Sequence, residues 1–89
     1  MTKGSVARTV LISGAGSGIG RRMAQALARD AAGHNLVLID IDAAALERTV
    51  ADPLFSDRKR IAVMTHDVRD AAGWDRVIRE TVERFGSLE

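Results

Sequence analysis

Three short apolar runs divide the chain into repeated units. They lie at residues 8–13, 35–40 and 60–66, and the middle of each consists of apolar residues. Runs of this length and composition are typical of strands that are covered on both faces. The pattern therefore predicts three buried strands, each followed by a longer segment with a different period.

The segments after the first two strands have helical periodicity. In residues 18–32 an apolar or small residue recurs every three or four positions, which predicts one face of a helix packed on a sheet. The predicted face consists of Ile19, Met23, Ala24, Ala26, Leu27 and Ala31. Gly33 suits the position just after this helix. The next helix is expected to begin at an Asp42 cap, to turn Leu46 and Val50 inward and to end before Pro53.

The third helix has the clearest amphipathic pattern. Its inner positions recur at i, i+3, i+4 and i+7, with Asp70 as the predicted cap and Gly86 as the end. These positions are Trp74, Val77, Ile78, Thr81, Val82 and Phe85. Trp74 is interpreted as a packing residue. Residues 52–59, by contrast, have no clear period and are predicted to form an irregular loop.

The order β-α-β-α-β-α predicts an α/β fold with a parallel sheet and right-handed crossovers. It corresponds to a partial Rossmann fold, with strand order 3-2-1 and helices against the sheet, in which residues 1–89 form the nucleotide-binding half of a domain. The first strand would then lie at an edge. Its residues are apolar enough for a central strand, and such an edge is normally covered.

Glycines fall at positions 14, 16, 18 and 20, between the first strand and the first helix. A loop without side chains lets a bulky anion approach the N–H groups and the positive dipole end of the helix. Asp40 ends the second strand twenty residues after Gly20, where a carboxylate suits a ribose diol. The combination predicts a βαβ dinucleotide site. The alternatives are a tight turn without a ligand and, for Asp40, a capping or turn role.

Composition narrows the other possibilities. The chain is 46% hydrophobic with a net charge of +1, so it is neither typical of a disordered tail nor biased toward nucleic acid. It has no cysteine, and its two histidines lack ligand-spaced partners, so no metal site is predicted. No run suits a signal peptide or a membrane span, so a cytoplasmic location without membrane contact is expected. The basic cluster Arg58–Arg60 is interpreted as a solvated loop, the alternative being a contact to a 2′-phosphate or nucleic acid.

The glycine-rich stretch resembles a family motif. Residues 13–20, Ser-Gly-Ala-Gly-Ser-Gly-Ile-Gly, resemble the Thr-Gly-x-x-x-Gly-x-Gly motif of the short-chain dehydrogenase/reductase family, with Ser13 in place of Thr and Gly14, Gly18 and Gly20 at its glycines. His66-Asp67-Val68 resembles the Asp-Val pair that follows the family's third strand. Residues 85–89 resemble the segment that leads to its fourth strand.

The resemblance implies a set of cofactor contacts. Ser13, Gly14, Gly16 and Gly20 would form the glycine-rich cradle, and Ser17, Gly18 and Ile19 would lie along the pyrophosphate. Asp67 would reach the adenine amino group, Val68 would flank the ring, and Asp40 would bind the adenosine ribose. The expected cofactor is NAD, because a carboxylate repels a 2′-phosphate. Ser17 and Ile41 stand where relatives that prefer NADP often carry a basic residue.

The implied function is the NAD(H)-binding portion of an oxidoreductase that exchanges hydride between nicotinamide and an alcohol or ketone. The family's catalytic Ser and its Tyr-x-x-x-Lys would follow Glu89, and the sequence contains no tyrosine. The chain alone is therefore expected to be inactive, with no catalytic residue of its own. The resemblance also implies a homo-oligomer for the complete enzyme.

Two other functions remain open at the level of sequence. One is a stand-alone, non-catalytic nucleotide-binding module that associates with another chain through its unpaired first strand. The other is an S-adenosylmethionine-dependent methyltransferase, since Gly14, Gly16 and Gly18 also satisfy G-x-G-x-G. Methyltransferases usually carry an acidic residue just before these glycines, and here Ile12 and Ser13 occupy that place.

Overall fold

The computed structural model describes residues 8–86 of the protein. Three strands alternate with three helices along the chain. They are β1 (Thr9–Ser13), α1 (Gly18–Arg29), β2 (Asn35–Asp40), α2 (Ala43–Val50), β3 (Ile61–Thr65) and α3 (Gly73–Phe85). Two short 3₁₀ turns, Pro53–Phe55 and Arg58–Arg60, connect α2 to β3. The predicted order of elements and the α/β class are confirmed.

The strands form one parallel sheet with β2 in the centre. β1 pairs with β2 so that Thr9 lies opposite Asn35, and β2 pairs with β3 so that Leu36 lies opposite Ile61. The order β1-β2-β3 is the predicted 3-2-1 order seen from the other edge. Because all three strands run the same way, their carboxyl ends meet at one edge, which brings residues 13, 40 and 65 together.

The helices cover opposite faces of the sheet. Ala24 of α1 and Leu46 of α2 pack in one apolar cluster with Leu36 and Leu38 of β2. Val77 of α3 packs on the other face, in a cluster built on alternate residues of the same strand, Val37 and Ile39. β2 is therefore buried on both sides, as its continuous apolar sequence predicts.

The predicted inner face of α1 was partly wrong. Ile19 is 77% exposed, Met23 is 51% exposed, and Ala26 is also exposed, whereas Ala24 is buried and Leu27 and Ala28 pack on the core. Residues four apart advance about 40° around a helix at each step, so a series that starts at Ile19 reaches the sheet only near Leu27. The helix also ends at Arg29 rather than at residue 32, which places Ala31 outside it.

Gly33 was predicted to follow α1 directly, but it lies in the turn beyond the end of the helix. Asp30 is the residue at the helix end, and the N–H of Gly33 donates to the carbonyl of Asp30. Gly33 has a φ of 72°, so the left-handed conformation expected after a helix occurs here one turn later.

The segment 52–59 is more ordered than predicted. The Asp52 side chain accepts from the N–H of Leu54, and the Asp57 side chain accepts from the N–H of Lys59, so each carboxylate caps a 3₁₀ turn. Phe55, in the first turn, is completely buried in the cluster under α1 and α2. This segment is therefore part of the core and not a free loop.

The predicted caps of the other two helices had different outcomes. Asp42 caps α2 as predicted, because its carboxylate accepts from the N–H of Ala45 at 3.1 Å. Asp70 is not the residue directly before α3, which begins at Gly73 with Ala72 preceding it. Its carboxylate nevertheless accepts from the N–H of Gly73 at 3.2 Å, so Asp70 binds the first N–H group of the helix from the turn before it.

Candidate functional site

The loop between β1 and α1 is anchored through Ala15. The N–H of Ala15 donates to the carbonyl of Ile39 at 3.0 Å, and its carbonyl accepts from the Thr49 hydroxyl at 2.9 Å. Ala15 and Thr49 are both fully buried. The middle of the glycine loop is thereby fixed to β2 and α2.

The four glycines of this loop meet two different requirements. Gly14 and Gly18 have φ values of 69° and 59°, which side chains disfavour. Gly16 and Gly20 are needed for close approach. A Cβ on Gly16 would lie 2.8 Å from Asp40 Oδ2, and one on Gly20 would lie 2.3 Å from the carbonyl oxygen of Gly14. The loop geometry therefore depends on glycine at every second position.

The N-terminus of α1 faces this loop without a side-chain cap. Ser17 precedes the helix in an extended conformation and its hydroxyl makes no capping hydrogen bond. The first turn also contains no acidic residue. The first N–H groups of a helix lack partners inside it, so this end is suited to an anionic ligand.

Asp40 lies at the end of β2, and backbone N–H groups hold both of its carboxylate oxygens. Oδ2 accepts from Gly16 at 2.9 Å, and Oδ1 accepts from Asp42 at 3.0 Å. The turn role considered from the sequence is thus present. A carboxylate has about four acceptor positions, so these two bonds leave room for a further donor such as a ribose hydroxyl.

A cavity of about 290 Å³ opens beside Asp40, at the carboxyl ends of the strands. Open α/β sheets bind their ligands at this edge. The lining residues are Gly14, Asp40, Ile41, His66, Asp67, Val68 and Arg69. The exposed fractions of Ile41 and Val68 are 60% and 52%, which is high for aliphatic side chains and leaves an apolar surface for a flat ring.

The cavity brings together some of the predicted residues but not all. Gly14, Asp40, Ile41, Asp67 and Val68 line it. The other predicted residues lie at the end of β1, in the adjoining loop and in the first turn of α1, outside the lining of this cavity. They are Ser13, Gly16, Ser17, Gly18, Ile19 and Gly20.

The partner of Asp67 is a residue that the sequence reasoning missed. Arg69 Nε and Nη2 donate to Asp67 Oδ1 and Oδ2 at 3.0 and 2.9 Å, and the Arg69 backbone N–H donates to Oδ1 at 2.9 Å. The side-chain hydrogen bond from Arg69, helped by the backbone bond, lowers the pKa of Asp67 to about 2. The signal available in the sequence was an arginine two residues after the Asp.

His66 forms the inner wall beside Asp67. It is buried, and its Nε2 has no hydrogen-bond partner among the described residues. The imidazole packs edge-on against Trp74, with ring centroids 4.7 Å apart. A Cβ on Gly73 would lie 2.5 Å from His66 Cε1, so glycine at the start of α3 makes room for the ring.

Trp74 packs as predicted and also fixes the cavity wall. Its ring lies against the cluster of Val37, Ile39 and Val77, and its Nε1 donates to the carbonyl of Val68 at 3.2 Å. This bond ties α3 to the segment that carries Asp67 and Arg69. The sequence pattern predicts the packing of Trp74 but not the bond.

The described part of the chain contains neither a metal-binding cluster nor a membrane-spanning helix. Within residues 8–86, no three His, Cys, Asp or Glu residues are grouped so that they could hold a metal ion. Over the same range no helix has the length and apolar character needed to cross a membrane.

Comparison with known proteins decides the family. The family model for short chain dehydrogenase matches residues 8–89. The chain belongs to the short-chain dehydrogenase family. Levodione reductase of Leifsonia aquatica is 37% identical over 83 residues, covering 92% of this chain and 30% of that protein. This chain spans about 29 to 31% of the length of the curated short-chain dehydrogenase relatives that it matches.

Solved short-chain dehydrogenase structures have the same fold. A member from Burkholderia phymatum in complex with NAD has a TM-score of 0.83 at 34% identity, covering 100% of this chain and 30% of that one. An alcohol dehydrogenase from Thermococcus sibiricus, complexed with 5-hydroxy-NADP, has a TM-score of 0.78 at 30% identity, covering 92% and 34%. The two relatives carry different nicotinamide dinucleotides, so membership in the family does not choose between them.

Proposed function

We propose that the chain binds NAD(H) across the glycine loop and the cavity beside Asp40, as the cofactor-binding portion of an oxidoreductase. The observation that carries this proposal is the Asp40 carboxylate, fixed at the cavity by the N–H of Gly16 at 2.9 Å. The same contact joins the predicted ribose acceptor to the predicted phosphate loop. When bound, the nicotinamide would exchange hydride with an alcohol or ketone.

The residues that are present fit a dinucleotide. In the proposed arrangement Ser13, Gly14, Gly16 and Gly20 form the cradle, and Ser17, Gly18 and Ile19 lie along the pyrophosphate. A Cβ at Gly16 or Gly20 would collide with the loop itself, which supports a shape built for close backbone approach. Asp40 accepts from the ribose hydroxyls, while the exposed Ile41 and Val68 lie on either side of the adenine.

The proposed preference is for NAD over NADP. The reason is the negative charge of Asp40, which backbone groups hold and to which no basic side chain within residues 8–86 is bonded. Like charges about 4 Å apart near a protein surface repel by about 4 kcal/mol per pair of unit charges. Arg69 lines the same cavity, but its guanidinium already binds Asp67.

The 89 residues are expected to bind the cofactor without turning over a substrate. By the family resemblance, proton transfer to or from the substrate depends on a tyrosine, and this sequence has none. We therefore propose that a complete dehydrogenase reaction requires catalytic residues from a longer parent protein.

The open edge of β1 is proposed to be an association surface. Within residues 8–86, β1 pairs on one side only, with β2. Ile19 and Met23 of α1, and Ile78 and Val82 on the flank of α3 opposite Arg76 and Arg84, are exposed. Apolar side chains on both helix layers beside the open edge of β1 suit the addition of another strand, from a longer chain or from a second copy.

Calorimetric titration with NAD and with S-adenosylmethionine tests the proposed function against the methyltransferase alternative. Saturable binding of NAD, with no heat from S-adenosylmethionine, is the expected result. Binding of S-adenosylmethionine but not of NAD would contradict the proposal and support the methyltransferase interpretation.

A further inference from the structure

We propose that Arg69 is a positioning residue that turns the Asp67 carboxylate so that one acceptor position remains for the base. This arrangement would select a base with an exocyclic amino group over one with a carbonyl at the same place. The inference rests on the proposed function, since it concerns the adenine half of the same cavity. Neither the family motif nor the predicted site includes Arg69.

Hydrogen bonds from Arg69 occupy most of the acceptor positions of the Asp67 carboxylate. Oδ1 accepts two N–H groups, from the backbone and from Nε of Arg69, while Oδ2 accepts one, from Nη2. A carboxylate has about two acceptor positions on each oxygen. The remaining position is therefore on Oδ2, and the planar guanidinium fixes its direction through a two-point contact.

The backbone that carries this pair is itself held in place. The N–H of Asp70 donates to the carbonyl of Asp67 at 2.9 Å, which closes a turn around Val68 and Arg69. Trp74 Nε1 donates to the carbonyl of Val68 at 3.2 Å. The Asp67–Arg69 pair therefore stands on a fixed turn, although the Arg69 side chain is itself largely exposed.

The charge state of the pair fits this role. The hydrogen bonds from Arg69 keep the pKa of Asp67 at about 2, so the carboxylate accepts and does not donate at any physiological pH. An amino group at position 6 of a purine donates to such an oxygen, whereas a carbonyl at that position places two acceptors against each other. A site that hydrogen-bonds one polar group discriminates against an analogue that lacks this group.

The test compares NAD with nicotinamide hypoxanthine dinucleotide, in which a carbonyl replaces the amino group of the base. Calorimetry would give both dissociation constants for the unmodified protein, for Arg69→Ala and for Arg69→Lys, which keeps the charge but loses the planar fork. Arg76→Ala is the matched control, because Arg76 makes an exposed ion pair with Glu80 at 3.1 Å that does not line this cavity. Circular dichroism would verify that each variant is folded.

We expect the unmodified protein to prefer NAD. In Arg69→Ala the ratio of the two dissociation constants should fall by about tenfold, the size expected for one charge-assisted hydrogen bond. Arg69→Lys should lie between them, and Arg76→Ala should keep the original ratio. A merely structural role for Arg69 would weaken both ligands equally and leave the ratio unchanged.

The outcomes separate the inference from the proposed function. If the unmodified protein binds both dinucleotides equally, or if Arg69→Ala keeps the full preference, the positioning role is wrong while NAD binding stands. If the unmodified protein binds neither dinucleotide, the proposed function is wrong and the inference is overturned with it.

Discussion

At the residue scale, the glycine loop depends on contacts that leave no room for a methyl group. Gly20→Ala would place a Cβ 2.3 Å from the carbonyl oxygen of Gly14, so either the loop or α1 must move. We expect the free energy of unfolding to fall by about 1–3 kcal/mol, as for other overpacked sites. Urea denaturation would measure it, with Arg22→Ala on the exposed side of α1 as control. A Gly20→Ala variant as stable as that control would show that the loop adapts.

The Asp67–Arg69 pair gives a second prediction at this scale. In Arg69→Ala the pKa of the Asp67 carboxyl should rise from about 2 toward its ordinary value of 3.8, because its main hydrogen-bond donor is lost. A carboxyl pKa that is lower in the folded state stabilises the fold at pH values above the pKa of the unfolded state. This contribution disappears as the pH falls through the pKa of the folded state. The effect of the substitution on stability should therefore be present at neutral pH and fade between about pH 4 and pH 2.

Carboxyl NMR signals followed through an acid titration would measure both pKa values. Arg76→Ala, which breaks the exposed pair with Glu80, serves as the control and should leave the Asp67 titration unchanged. An Asp67 that still titrates near pH 2 without the Arg69 side chain would show that backbone donors alone hold the carboxylate.

At the scale of elements, the sequence predicts strands and helices well where apolar residues repeat with a clear period. β2 is an unbroken apolar run and is buried on both faces, as predicted. The inner face of α1 was partly misassigned because Ile19 and Met23 are apolar but largely exposed among the described residues. The predicted inner positions Ile78 and Val82 of α3 are exposed for the same reason. Periodicity identifies an apolar face, but it does not say which part of the molecule covers that face.

The prediction of an irregular loop at residues 52–59 was wrong for another reason. Its order comes from Asp52 and Asp57 capping short turns and from the burial of Phe55, and none of these produces a periodic pattern. The Asp67–Arg69 pair and the bond from Trp74 to Val68 were missed in the same way. Both are side-chain contacts within short turns, whose geometry a spacing rule does not define.

The burial of Phe55 is directly testable. Phe55→Ala should lower the free energy of unfolding by about 3–5 kcal/mol, because it empties a fully buried position in the core under α1 and α2. Phe85→Ala is the matched control. Phe85 is only partly buried, so its loss should be smaller. Equal losses in urea denaturation would contradict the assignment of residues 52–59 to the core.

At the scale of the whole molecule, β1 of the described chain has one unpaired edge, which is flanked by apolar side chains. If that edge associates, the paired substitution Met23→Lys with Val82→Lys should reduce dimers or larger species at a given concentration, because it places charges on both flanks of β1. Analytical ultracentrifugation would measure the change. Val63→Lys, at an exposed position of β3 on the opposite side of the sheet, is the control. An unmodified protein that is monomeric, with fully protected amides in β1, would contradict the association.

The central claim is that Asp40, joined to the glycine loop, makes this an NAD site. The most direct test is to measure the dissociation constants of NAD and NADP for the unmodified protein and for Asp40→Asn, with Asp42→Asn as a control that keeps an acceptor at the α2 cap. We expect NAD to bind at least about tenfold more tightly, with the difference shrinking in Asp40→Asn alone, because the repelling charge is gone. Tighter binding of NADP by the unmodified protein, or a preference for NAD that survives Asp40→Asn, would contradict the claim.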